Sequence, residues 1–92
     1  MAYDYEREKP NLFTDEGQRM FLRIRDRAHE LILAAGAARM QEIIRGNSGE
    51  LWEMLACVDR LVELGELREI TLLPQPGPMQ YRVFVRAAKE GA

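Results

Sequence analysis

The sequence has one cysteine, one histidine and one tryptophan in 92 residues. Cys57 alone cannot form an internal disulfide, and one cysteine with one histidine cannot build a multi-Cys/His zinc site within a single copy. A nucleophilic pair would require Cys57 and His29 to meet from separate helices, so no catalytic residue is assigned and no enzyme is expected. The glycines fall singly at helix ends and turns, which excludes a glycine-rich phosphate loop. No apolar run approaches the roughly 20 residues that cross a bilayer. The opening MAYDYEREKP is too charged for the apolar core of a secretory signal. The expectation is a cytoplasmic protein, not membrane-spanning, without metal or cofactor, that works by binding.

At 47% hydrophobic and 30% charged, the composition is that of a globular chain, long enough for one core. Its net charge of −2 is unevenly spread. Residues 1–16 hold two basic and five acidic groups, and residues 17–45 hold six arginines against three acids. Residues 46–69 hold two basic and six acidic groups, and residues 70–92 three basic and one acidic. Basic charge therefore collects on the first long helix and the last strand.

Residues 1–13 are polar, lack a helical or strand period and read as a flexible arm whose end Leu12 and Phe13 pin to the core. Thr14 is an N-cap candidate, followed by Asp15 and Glu16 at the positive end of a helix dipole. Met20, Phe21, Ile24, Ala28, Leu31, Ile32 and Ala35 recur at helical spacing, and Gly36 supplies a left-handed stop. Residues 37–45 read as a short second helix with Ala37, Met40, Ile43 and Ile44 inward. Asn47 and Glu50 have capping-box spacing ahead of a third helix. There Leu51, Met54, Leu55, Val58, Leu61 and Val62 share one face. Trp52, Glu53, Ala56, Asp59, Arg60 and Glu63 share the other. Gly65 ends that helix. Residues 67–73 and 80–86 read as strands joined by a proline-stiffened loop at 74–79, with Tyr81, Val83 and Val85 on one face and Arg82, Phe84 and Arg86 on the other. Residues 87–92 are expected to fray.

A helix ending Leu61-x-x-Leu64-Gly65 and running at once into a strand at Leu67, with a second strand at 81–85, resembles the end of a winged helix-turn-helix domain. That resemblance, covering about residues 15–86, implies an α+β fold in which a three-helix core precedes a two-stranded antiparallel wing, with the domain at 14–86. It also implies a DNA-associated regulator whose third helix enters the major groove while the wing touches backbone. Carried onto this chain, the reading positions are Glu50, Trp52, Glu53, Ala56 and Arg60. Glu50, Glu53, Asp59 and Glu63 against Arg60 oppose a polyanion, so docking falls to helix 1 and the wing.

Three candidate surfaces follow. Arg19 and Arg23, on a row with Arg27, join Arg68, Arg82 and Arg86 as candidate DNA contacts. Trp52, Ala56, Asp59 and Glu63 offer an apolar anchor beside carboxylates, which suits a protein partner instead; the competing role for Trp52 is in the core. Leu22, His29 and Leu33 face away from the core stripe and are candidates for a homodimer contact.

Overall fold

Asp4 opens the first ordered element by accepting the Glu6 N–H on its carboxylate. In the computed structural model, which describes residues 2–70 and 82–87, this cap starts helix α1, Tyr5–Glu8, which runs into a 3-10 helix, Lys9–Phe13. Helical turns thus occupy residues 5–13, where the sequence shows no helical period. Leu12 is fully buried and pins it, whereas Phe13 is exposed.

Helix α2 spans Asp15–Ala35. The Thr14 hydroxyl accepts the Gly17 N–H at 2.9 Å, Asp15 and Glu16 fill the first turn, and Gly36 closes the helix at φ 85°. Glycine adopts that angle without the Cβ clash other residues suffer. Met20, Ile24, Ala28 and Ile32 form the buried stripe, with Phe21 and Leu31 packed beside it. Ala35 is exposed in the last turn.

Residues 37–45 depart from the expected single helix. Ala38–Arg39 form strand β1, and only Met40–Ile44 are helical, as α3. The reason is tertiary: Ala38 and Arg39 pair antiparallel with Phe84 and Val83, and the Met40 N–H donates to the Arg82 carbonyl at 2.7 Å. Helix α4, Leu51–Glu63, is capped not by Asn47 but by Glu50, whose carboxylate accepts the N–H groups of Trp52 and Glu53. Gly49, at φ 143°, interrupts any helical path from Asn47, and the Asn47 amide turns back to the Ile43 carbonyl.

Strands β2, Leu67–Glu69, and β3, Val83–Arg86, complete a three-stranded antiparallel sheet in the order β1-β3-β2. The α+β class is as expected, but the sheet has three strands rather than two. Of the two alternating sides of β3, the one that carries Phe84 faces the core. Phe84, Ala38 and Leu67 are buried, while Val83 and Val85 are half-buried. The proline-containing connection, Tyr81 and the tail at 88–92 lie outside the described residues. Among the described residues, no helix is long and apolar enough to cross a membrane.

Gly17 fixes the seat of the arm on α2. A methyl group there would collide with the Asn11 carbonyl oxygen and with the Leu12 backbone. A helical glycine replaced by alanine ordinarily gains about 1 kcal/mol from propensity. Here Gly17→Ala should instead lose stability, by roughly 1–3 kcal/mol from overpacking. Urea unfolding of the two proteins checks the sign.

Candidate functional site

Met54, Leu55, Ala56, Cys57 and Val58 are five consecutive buried residues on α4. Side chains advance by about 100° per residue, so such a run means that the middle of the helix is covered on every side. One cover is the core of α2, α3 and β2; the other is the arm. The face read as an open protein-docking surface is thus already occupied. Ala56 has no exposed surface, and Trp52 is half-buried against the core. At the start of α4 the expectation also fails for Leu51, which is 47% exposed despite its core-side angle.

Asp59 and Glu63, one turn apart on α4, receive the arm. The Tyr3 hydroxyl donates to Asp59 Oδ2 at 2.6 Å, and the Tyr5 hydroxyl donates to Glu63 Oε1 at 2.7 Å. Lys9 Nζ lies 3.0 Å from Glu63 Oε2 and 5.8 Å from the Tyr5 ring centre. Arg60 also reaches Glu63 at 2.7 Å and lies over the Phe13 ring. Burial raises both tyrosines above their ordinary values, and donation to Asp59 and Glu63 raises them further. Hydrogen bonds from Tyr5, Lys9 and Arg60 hold Glu63 down at about 2.

Arg82, expected as a wing contact to DNA, faces inward. Its guanidinium bonds Asp59 Oδ1 at 2.6 Å and Glu69 Oε1 at 2.7 Å, with both Arg82 and Asp59 largely buried. Burial works against its charge, but bonds to Glu69 and Asp59 outweigh burial and raise its pKa. The other DNA candidates differ. Arg19, Arg23, Arg68 and Arg86 are exposed. No side-chain hydrogen bond or ion pair engages these four among the described residues.

The dimer candidates Leu22 and Leu33 are 51% and 87% exposed. His29 between them is half-buried, with Nε2 2.8 Å from Glu66 Oε1, which Arg25 also engages at 2.7 Å. Burial pushes Glu66 upward, but Arg25 and His29 together hold it below its usual value. Leu33, His29, Ile32, Gly36 and Arg86 line an open groove of about 480 Å³.

Cys57 is buried, its thiol pushed up to about 12 by burial and then by Glu53. Glu8, Glu50 and Glu53 place carboxylate oxygens within 4.8 Å of one another, the one such acidic group among the described residues. Burial and then the charges of Glu50, Glu8 and Glu16 raise Glu53. Glu50 is committed to capping α4, and Asn11 donates to Glu8 at 3.3 Å. Reading the sequence alone missed Tyr3, Tyr5 and Lys9. The available signal was weak: two tyrosines two apart, and two carboxylates a helical turn apart.

Arg82→Ala should cost about 2 kcal/mol, less than the roughly 3–5 kcal/mol of a fully buried pair. Thermal or urea unfolding measures it. A depressed carboxyl gives stability above its unfolded value and loses it as pH falls through its folded value. The Glu63 contribution should therefore be complete above about pH 4.5 and vanish through about pH 2. The melting difference between parent and Glu63→Gln should shrink over that window. Compared with family models, curated proteins and solved structures, the chain matches none.

Proposed function

We propose that the chain is a winged helix-turn-helix interaction module that acts by binding, and that its α4 face takes a protein segment rather than a DNA groove. The winged-helix reading is supported by the order of elements, with α2, α3 and α4 followed by the antiparallel pair β2 and β3. Strand β1 extends that pair on the β3 side.

The observation that carries the protein reading is the seating of a tyrosine- and lysine-bearing segment on Asp59 and Glu63. A third helix reading DNA needs an outer face that is open and not acidic. On α4 that face bears Glu53, Asp59 and Glu63 and lies under the arm. DNA carries one negative charge per roughly 1.7 Å of axis, so carboxylates aimed at it repel.

Backbone association with DNA is the second reading, favoured by the four exposed guanidinium groups of Arg19, Arg23, Arg68 and Arg86. Arg82 is left out because Asp59 and Glu69 hold it. Self-association through Leu22, His29 and Leu33 is compatible with either reading.

Titrating random duplex DNA at about 20 mM salt separates the two, since phosphate neutralisation gives binding that weakens steeply with salt. Under the protein reading no such binding appears. Under the DNA reading it does, and each substitution of Arg19, Arg23, Arg68 or Arg86 by alanine lowers the salt slope by about 0.9 per contact. For self-association, Leu33→Glu should sediment as a monomer with its helix content intact. A parent that is already monomeric at high concentration removes that element.

A further inference from the structure

We propose that residues 3–9 are a built-in competitor on α4, holding in cis the site at which a partner segment with the same chemistry, a pair of tyrosine hydroxyls and a lysine, binds. This rests on the protein-docking reading above. The two ends of the arm are held differently. Its far end is anchored by the buried Leu12 and by the close approach of Asn11 and Leu12 to Gly17. Its near end is held by Tyr3 on Asp59, Tyr5 on Glu63 and Lys9 on Glu63. Tyr3, Tyr5 and Lys9 are only half-buried. Partly exposed polar contacts of this kind hold weakly, so the near end opens at a fraction of the cost of global unfolding.

The seat also contains an opposing force. Docking brings the buried Glu8 within 4.8 Å of Glu50 and Glu53, three carboxylates in one place. The Tyr and Lys contacts close the arm, and the Glu8 crowding favours its release. A segment that supplies the tyrosines and the lysine without a carboxylate at the Glu8 position keeps the attraction and escapes the repulsion.

The test uses the full chain in three forms. Tyr3→Phe/Tyr5→Phe/Lys9→Ala keeps the rings that pack on the core but removes every polar clasp. Glu8→Gln removes the crowding. The probe is a labelled peptide of residues 2–9, AYDYEREK, added in trans, alongside amide exchange at residues 3–9. The triple variant should exchange faster at 3–9 and bind the peptide about tenfold more tightly than the parent, because an internal competitor at millimolar effective concentration has been removed. Glu8→Gln should do the reverse, with slower exchange and weaker peptide binding. A parent that exchanges at 3–9 as fast as the triple variant overturns the inference alone, since no cover then exists. A triple variant that opens, ignores the peptide and binds random duplex DNA overturns the partner together with the protein-docking reading.

Discussion

Enclosure of α4 on all sides is the constraint from which the other contacts follow. A helix on the surface of a small domain buries one stripe and leaves the opposite face to water. Met54 to Val58 break that pattern, because five successive side chains travel more than a full turn. The chain meets the requirement by folding its own beginning over the outer face, with Leu12 as the apolar anchor. A 92-residue chain buries a modest share of its surface, so a second packed side on one helix is a substantial part of the core. Ala56, on the side of α4 opposite the expected core face, is fully buried.

Covering an acidic helix face raises an electrostatic problem, and the arm and sheet answer it together. Asp59 accepts from both Tyr3 and Arg82, and Arg82 continues to Glu69. The arm, α4, the chain leading into β3, and β2 are thereby joined through one connected set of polar bonds. Tyr3 is the outermost member of the set: its release leaves Asp59 bonded to Arg82 and Arg82 bonded to Glu69. A displacement of the arm is felt first at Asp59, the residue that Arg82 also holds. Glu63, more exposed, takes Tyr5, Lys9 and Arg60.

Periodicity made α2 legible. Thr14, the Met20–Ile24–Ala28–Ile32 stripe and Gly36 each carry a local signal, and each does what that signal implies. It failed where burial depends on what stands opposite. Leu51 and Ala35 have the right angle but lie in end turns and are exposed, whereas Ala56 and Cys57 lie off the expected face and are buried. A two-residue strand such as β1 has no period to detect; it exists because β3 pairs with it. The arm was illegible for a related reason, since its ties reach partners 54 to 58 positions away in the chain. The inward side of β3 has the same origin: alternation separates Phe84 from Val83 and Val85 but does not say which side meets the helices.

The same reasoning limits what net charge says about partners. A chain with 15 acidic and 13 basic side chains has a mild negative balance, which argues against a polyanion only if the balance is local. At physiological ionic strength the screening length is about 8 Å, so a charge acts on what lies within a side chain or two of it. On α4, Asp59 pairs with Arg82 and Glu63 with Lys9 and Arg60, so the argument rests on Glu50 and Glu53, which make no ion pair among the described residues. Arg25 on α2, Arg60 on α4 and Arg82 just ahead of β3 are paired with carboxylates, while Arg19, Arg23, Arg68 and Arg86 point outward without such partners among the described residues. The local field at those four positions is set by their own charge and not by the total of −2. Protein docking on α4 and backbone contact through these arginines therefore involve different side chains, and each has to be judged on the charges of its own surface.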